Sequence, residues 1–449
     1  MQFDEALRYL LSLGHETLAI KLGLRNIELL LNTLGNPQDS YPKIQIAGTN
    51  GKGSTAVVLN SICCAAGIRA GLYTSPHLVS ITERVKIQGR KISQDQFAEH
   101  ATRVREAAEM LISAQRIEAL PTFFEQATAI ALLAFREGRV ELAILETGLG
   151  GRLDATTAAK ARLVAITPIA MDHEDYLGET IESIAAEKAA IIRHGTTAIV
   201  APQGPEALQA IMRQCEACDV QPSVDECGAR VEGVLADGRV RVTFETKRER
   251  YESVLLGLRG RHQVTNVSVA IRLAESLAAS GFAIDRAAIV EGIETTSHAG
   301  RLEFCEGRPS FLFDGAHNPS GARALREYLD EFVRVPLTLV FGVMRDKDIE
   351  EMGQVLFPAA DRLILTQPDN PRAATVEALE HVASRLLDSE KISKASSVSE
   401  AIHIARELTP ATGLICVSGS LYLIGDVQAK MGQRAGKSCE IALANIPFG

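Results

Sequence analysis

No apolar run in this sequence approaches the roughly eighteen or more residues that a membrane-spanning helix needs. The stretch AIALLAF at 129–135 has only the length of a buried helix segment. The first residues, MQFDEALRYLLSLG, carry Asp4 and Glu5 where a secretory signal carries basic residues. Their apolar positions are interleaved with charge, which predicts an amphipathic helix and a cytoplasmic protein with no membrane contact. Positive charge is scarce as well. Lys and Arg total 47 against 56 Asp and Glu, a net charge of -9, and the pI is near 5.7. That balance excludes a general nucleic-acid-binding surface and leaves room only for a local basic pocket. Eight cysteines in 449 residues give no dense disulfide framework. Cys63 and Cys64 adjoin in a helical stretch, and the Cys215–Cys218 CxxC, with Cys227 beyond it, lacks a second pair at zinc-ribbon spacing. Reduced core thiols are expected, with the CxxC pair as helix-end thiols.

What is present is a chain with 46% hydrophobic residues, long enough for two or three domains with sizeable cores. Short apolar runs alternate with helical patterns: KIQIAG and a helix from Ser54, AGLYTS, VELAILETG, RLVAITPIA, a helix through TIESIAAEKAAIIRHG, then TAIVAP. Such alternation predicts a mainly parallel sheet wrapped by helices. Parallel sheets bind ligands beyond the carboxyl ends of their strands, and GTNGKGS, TSPH, ETGLGG and MDHED all fall there. After residue 220 the pattern changes to short alternating strands with glycine turns, which predicts a small antiparallel sheet. The segment TTSHAGR at 295–301 reads as a connector, and a second alternating series follows: SFLFDGAH, LTLVFGV, RLILTQP, GLICVSGS. The expected fold is therefore α/β, with a P-loop ATPase-like domain over 1–296 and a Rossmann-like α/β domain over 297–449.

The loop GTNGKGST, from Gly48 through Thr49, Asn50, Gly51, Lys52, Gly53 and Ser54 to Thr55, departs from the strict phosphate-loop rule. Ile46 stands where the first Gly belongs, and Gly53 separates Lys52 from Ser54. The physics survives the change. Glycines let backbone N–H groups face an anion, the following helix points its positive end there, Lys52 adds charge and a hydroxyl can ligate magnesium. The alternative is a plain strand-to-helix turn. Glu146 ends a strand at the same rim, either solvated or functional, and His173 adds a second group able to meet metal or phosphate. Lys188, on a helix, reads as a surface lysine lying along its apolar stem. Asp314, His317 and Asn318 lie on the turn after a strand, where Asp and Asn also serve as ordinary turn formers. Arg301 is the only basic residue of the connector. These residues alone point to a two-domain nucleotide and Mg²⁺ enzyme with its site in the cleft.

The motifs GTNGKGS, SPHL, ERVKI, FFE, LETGLGGRLDAT, DH, EKAAI and DGAHNP, in this order, resemble those of the bacterial folylpolyglutamate and dihydrofolate synthases of the Mur ligase superfamily. The resemblance runs from the first helix to VSGSLYLIGD. It implies an ATP-dependent ligase that joins L-glutamate to a folate, or to dihydropteroate, through an acyl phosphate. By the same resemblance Ser54, Ser75 and Glu146 surround one Mg²⁺ and His173 helps hold a second, while Lys188 is carbamylated. Asn266, Arg301, Asp314 and His317 stand around the ATP. Lys52, Lys188, His173 and His317 are the expected catalytic groups. Lys347 and Ser420 reach the glutamate, and Asp154 lies in the pterin-bearing pocket. The C-terminal domain is expected to close over the cleft.

Two departures from the family pattern stand out. The linker has Ala299 before its GR where relatives often carry Pro, whose φ is fixed, and the phrase before DH is TPIAM. A peptidoglycan-precursor ligase is disfavoured, because only 47 residues precede Gly48 and that branch carries an added N-terminal domain. An amide ligase for another carboxylate, or a non-enzymatic nucleotide-dependent binding protein, is the remaining alternative. A self-contained core favours a monomer.

Overall fold

The computed structural model describes residues 1–14 and 23–435. Its largest sheet contains, in chain order, β1 (Lys43–Ala47), β2 (Ala70–Tyr73), β3 (Val85–Ile87), β4 (Arg90–Lys91), β5 (Leu142–Glu146), β6 (Leu163–Ile166), β7 (Thr197–Val200) and β8 (Ser223–Val224). The spatial order is β4-β3-β2-β5-β1-β6-β7-β8. All pairings are parallel except those of the β3–β4 hairpin. Sequence periodicity misses this hairpin and the two-residue β8, because strands of two or three residues at a sheet edge have too few positions to show alternation.

The central strands read as continuous apolar runs because both of their faces are covered. In β5, Ala143 and Leu145 enter one core with the helices Phe3–Ser12, Arg25–Thr33, Gln94–Ser113 and Phe123–Glu137. Leu142 and Ile144 enter the opposite core, which the helices Lys52–Ala65, Gln263–Ala279 and Arg286–Thr295 complete. The antiparallel sheet, β9 (Gly228–Val234), β10 (Arg239–Glu245) and β11 (Arg250–Arg259), packs into that second core through Val240, Val242 and Phe244. Local signals fix the helix starts. The FFE motif is a capping box, in which the Thr122 hydroxyl accepts from Glu125 N while the Glu125 carboxylate accepts from Thr122 N at 2.7 Å.

A third sheet follows residue 302: β12 (Glu303–Cys305), β13 (Ser310–Asp314), β14 (Leu337–Phe341), β15 (Arg362–Leu365), β16 (Ile392–Lys394) and β17 (Leu414–Ser418). Its order is β12-β13-β17-β14-β15-β16, parallel throughout apart from β12. Helices cover both faces, which gives it two cores of its own. The C-terminal half thus has the expected Rossmann-like layering. The connector runs from Thr296 to Leu302, between the helix Arg286–Thr295 and β12.

The two halves touch at several points. A Cβ on Gly425 of the last helix would lie 2.0 Å from the Leu78 carbonyl oxygen, so that helix sits directly on the SPHL loop. On the far side Tyr328 donates to the Asp237 carbonyl at 3.1 Å, and Arg261 forms a bidentate pair with Glu331. Among the described residues no helix is long and apolar enough to cross a membrane. Cys215 is buried, Cys218 partly so, and both are free thiols.

The helix behind the phosphate-type loop depends on one close approach. A Cβ on Gly292 would stand 2.4 Å from Ile62 Cα and 2.5 Å from Ile62 N. Helix Arg286–Thr295 therefore packs on the backbone of helix Lys52–Ala65, and any side chain at 292 must push them apart. Gly292→Val is expected to cost about 1–3 kcal/mol, read as a lower urea midpoint with unchanged slope. An unaltered midpoint would mean that the helices separate without penalty.

Candidate functional site

The residues expected to act together converge on the carboxyl ends of β1, β2, β5 and β6, facing the ends of β13 and β17 across the cleft. A cavity of about 300 Å³ opens there. From the first half it is lined by the loop Thr49–Ser54, Ser75, Glu146, His173, Lys188 and Asn266; from the other side come Arg301, Asp314 and His317. Two loop residues lie elsewhere. Gly48 (φ +145°) is pressed against Thr167, where a Cβ would meet Oγ1 at 2.0 Å, and Thr55 is fully buried with its hydroxyl 3.4 Å from the Asn266 carbonyl. Both shape the loop from behind rather than line the cavity.

The loop differs from the sequence expectation in its detail. The helix begins at Lys52, not Ser54, with Gly51 as its left-handed N-cap. A Cβ on Gly51 would fall 2.1 Å from Asn266 Oδ1, so glycine is required there by conformation and by space. The N–H groups of Thr49 and Asn50 are taken by the Pro168 carbonyl at 3.0 and 3.1 Å. The TPIAM phrase thereby clamps the loop. The anion-facing donors are the first-turn N–H groups of Lys52, Gly53 and Ser54, which have no intrahelical acceptor. The Lys52 ammonium folds back onto the Gly48 and Thr49 carbonyls at 2.9 and 3.0 Å. Burial lowers its pKa, against the opposing charge of Glu146.

Glu146 is buried at the end of β5, and its Oε2 accepts from Ser75 N at 3.0 Å. Burial raises its pKa while Lys52 pulls it down. Among the described residues no three His, Cys, Asp or Glu side chains form a metal cluster. One carboxylate with the Ser54 and Ser75 hydroxyls matches instead the way Mg²⁺ binds, through few protein oxygens plus substrate phosphates. His173 supplies an independent sign. Burial pushes its pKa down to about 3, so the ring is neutral, and its buried Nδ1 has no hydrogen-bond partner. It occupies a left-handed conformation, φ 55° and ψ 41°, that turns it into the cleft. The donor set fits a divalent cation held partly by phosphate oxygens.

Lys188 is not a surface lysine. It is 3% exposed, and among the described residues its ammonium has no hydrogen bond or ion pair. Burial first, then the charge of Lys52, lowers its pKa to about 7. A lysine in that state is half amine at neutral pH.

On the opposite wall Asp314 accepts from Leu302 N and Ala316 N at 2.9 and 3.0 Å, and burial raises its pKa against the Arg301 charge. Arg301 donates to the Gly315 carbonyl at 3.1 Å. The His317 ring bonds the same carbonyl at 2.7 Å. Asn318 caps the helix Pro319–Phe332 and also reaches Asn50 at 3.1 Å. It is turn former and cleft residue at once.

A second cavity of about 510 Å³ adjoins the first and shares with it Ser75, His173 and His317. Phe124, Leu177 and Tyr422 give it apolar walls. Asp154, Lys347 and Ser420 lie along it, in three different states. Asp154 is buried, and its oxygens accept from the N–H groups of Gly148, Leu149 and Thr156 and from the Thr156 hydroxyl. Its carboxylate thus shapes the ETGLGG turn from its place along the cavity wall. The Ser420 hydroxyl accepts from Tyr422 N at 3.1 Å. The Lys347 ammonium is 2.6 Å from Asp172 Oδ1.

Asp172 and His298 are the residues that sequence reasoning passed over. Asp172 precedes His173 and meets Lys347, His317 at 3.6 Å and Asn318 at 3.1 Å, all from the other half. Burial would raise its pKa, but the His317 contact and the nearby positive charges outweigh it and hold it well below the usual carboxylate range. The available signal was an acid beside a histidine at a strand end. His298, in the connector, has its Nδ1 3.2 Å from the Ser54 hydroxyl. Burial, then the charges of Arg301 and Lys86, lower its pKa to about 3.

Residues 46–274 match the model of the Mur ligase middle domain, and residues 300–421 that of the Mur ligase glutamate ligase domain. The dihydrofolate synthase/folylpolyglutamate synthase of Bacillus subtilis is 33% identical over 93% of this chain and 97% of its own length. The corresponding Escherichia coli protein is 33% identical over 95% of both chains. Among solved structures, Mycobacterium tuberculosis folylpolyglutamate synthase complexed with ADP superposes with a TM-score of 0.89 at 31% identity, covering 96% of this chain and 98% of that one. E. coli FolC in complex with DHPP and ADP gives 0.84 at 31% identity, with 97% and 98% covered. A bifunctional folylpolyglutamate synthase/dihydrofolate synthase with Mn, AMPPNP and L-glutamate bound gives 0.82 at 29% identity, with 96% and 98% covered. With both halves matched in order and relatives similar along nearly the whole length, the chain belongs to the folylpolyglutamate synthase/dihydrofolate synthase family of Mur ligases.

Proposed function

We propose that this protein is an ATP-dependent ligase that joins L-glutamate to folates, extending tetrahydrofolate with glutamates and also converting dihydropteroate to dihydrofolate. One observation carries the reading beyond family membership: the phosphate-loop cavity and the larger apolar-walled cavity meet at Ser75, His173 and His317. A carboxylate held in one cavity can there meet the γ-phosphate of a nucleotide held in the other.

The reaction needs that junction. A carboxylate is a poor acyl donor, so its oxygen first attacks the γ-phosphorus and ADP departs. The glutamate amine then attacks the acyl phosphate carbon, losing a proton as phosphate leaves. Lys52 and the first-turn N–H groups of its helix bind the transferring phosphoryl group, whose charge is largest in the transition state. Ser54, Ser75 and Glu146 would hold one Mg²⁺ and His173 a second, and Mg²⁺ supplies neutralisation of phosphate charge. Arg301, Asp314, His317 and Asn266 bind the nucleotide. Lys347 and Ser420 lie on the glutamate side. The division at 296/297 separates an ATP-binding unit from a unit that closes on it and excludes water from the acyl phosphate. The same reading makes the protein a cytoplasmic monomer, supported by the separate cores within each half.

Lys188 is carbamylated in this reading. Its environment supplies the chemical precondition, since a buried amine with pKa about 7 has a free lone pair for CO₂ at neutral pH. The product exchanges a costly buried cation for an anionic oxygen group beside Lys52.

Labelled L-glutamate is expected to enter product with ATP and Mg²⁺ when either dihydropteroate or tetrahydrofolate is the acceptor. Incorporation with tetrahydrofolate alone would restrict the protein to polyglutamylation, and none with either would overturn the assignment. Lys52→Ala and Glu146→Ala are each expected to lower kcat by about 10²–10³-fold with unchanged far-UV circular dichroism. Near-normal turnover would remove that residue from the mechanism. For Lys188, ¹³C-bicarbonate should give a carbamate resonance in the wild type that is absent from Lys188→Ala. Protonation consumes the free amine below pH 7, so the resonance should weaken as pH falls through 7 to 6. A resonance retained in Lys188→Ala would exclude this lysine as its source.

A further inference from the structure

His298 stands on the segment that joins the two halves, yet its ring lies against the phosphate loop. Its Nδ1 is 3.2 Å from the Ser54 hydroxyl. A Cβ on Gly53 would stand 3.1 Å from both His298 Cε1 and Glu146 Oε1, so the imidazole and the carboxylate flank the same glycine. The charged groups around the ring are Glu146, Arg301 on its own segment and Lys86 from β3. The ring therefore faces two of the groups assigned above to the cation, from a position outside the loop that carries them.

We propose that His298 is a positioning residue for the divalent cation, accepting the Ser54 hydroxyl proton at Nδ1 and so directing the oxygen lone pairs of Ser54 toward the metal. The proposal rests on the nucleotide and Mg²⁺ reading above. A serine hydroxyl has one proton and two lone pairs. Ligation uses a lone pair and acidifies the proton, which then needs an acceptor pointing away from the cation. An N–H at that position would compete with the metal for the same oxygen, so the useful tautomer carries its proton on Nε2. Groups behind the ligands commonly fix ligand orientation in this way.

The placement links the cation to the hinge. Arg301 N donates to the His298 carbonyl at 3.3 Å, and the Gly300 carbonyl accepts from Gly315 N at 2.8 Å, so one turn carries both His298 and Arg301 and is tied to the end of β13. Movement of that turn withdraws the imidazole from Ser54 and the guanidinium from the nucleotide cavity together. Metal loading and domain position are thereby read by the same four-residue span.

The test is isothermal titration calorimetry of ADP, in Mg²⁺ and in EDTA, on the full-length protein and on His298→Leu and His298→Asn. Asn places an amide oxygen close to where Nδ1 stands. Mg²⁺ should tighten ADP binding to the wild type. His298→Leu should lose about tenfold or more of that tightening, with its affinity in EDTA within about twofold of wild type. His298→Asn should recover most of the loss, and the Mg²⁺ concentration giving half-maximal activity should follow the same order. Full Mg²⁺-dependent tightening in His298→Leu would overturn the proposal. So would an equal loss in EDTA and Mg²⁺, which marks packing alone, or an Asn variant as impaired as Leu. A wild type whose ADP affinity ignores Mg²⁺ would instead overturn the underlying metal reading.

Discussion

Three residues of the second half converge in the cleft on one buried anion of the first. Asp172 belongs to the first half, but Lys347, His317 and Asn318 reach it from the second. Two ions removed from water pay a desolvation penalty that only close geometry and further hydrogen bonds offset. Asp172 has both, with Lys347 at 2.6 Å and the Asn318 amide at 3.1 Å. Separating the halves would return the carboxylate and the ammonium to water, so the contact adds specificity to closure without making it irreversible. Because His173 follows directly in the chain, the register of this contact also fixes where its orphaned Nδ1 points.

The remaining buried charges follow from that closure. Lys52, Lys188, Lys347 and Arg301 crowd the same volume as Glu146, Asp172 and Asp314. Burial raises the acids Glu146 and Asp314 and lowers Lys52 and Lys188. Asp172 escapes because its partners are within contact distance. Lys188 lies at the other extreme, with repulsion from Lys52 and no ion-pair partner among the described residues. For both lysines burial is the largest cause, and for Lys52 it acts against the opposite charges of Glu146 and Asp172.

Much of the architecture was legible in the sequence because its signals are local. KIQIAG, VELAILETG and LTLVFGV are buried on both faces and announce parallel strands, and the Thr122–Glu125 capping box announces a helix start. The rim motifs followed from topology, since strand ends in such sheets share one edge. The edge strands β4, β8 and β16, with β3 beside β4, were not legible, being too short for periodicity. Side-chain saturation was illegible for a different reason. Nothing local tells that Asp154 spends its oxygens on its own turn, that Pro168 takes the N–H groups of Thr49 and Asn50, or that Lys188 is sealed from water. The last two depend on contacts between residues distant in sequence, and the first on how one turn folds Gly148, Leu149 and Thr156 around Asp154.

The two departures from the family pattern can be weighed by the same standard. TPIAM lies against the phosphate loop and contributes its Pro168 carbonyl to it, so its effect is on loop geometry. In SHAGR the exposed Ala299 leaves φ unconstrained where a proline would fix it, while its neighbour His298 anchors the segment to Ser54 instead. Backbone stiffness and a side-chain tether are alternative ways to restrict a hinge, but they differ in what they respond to. A proline restricts the segment whether or not the site is loaded. A hydrogen bond to Ser54 strengthens when that hydroxyl is polarised and weakens when it is not. On the reading proposed above, the restraint on this segment therefore answers to the state of Ser54, which a proline's would not.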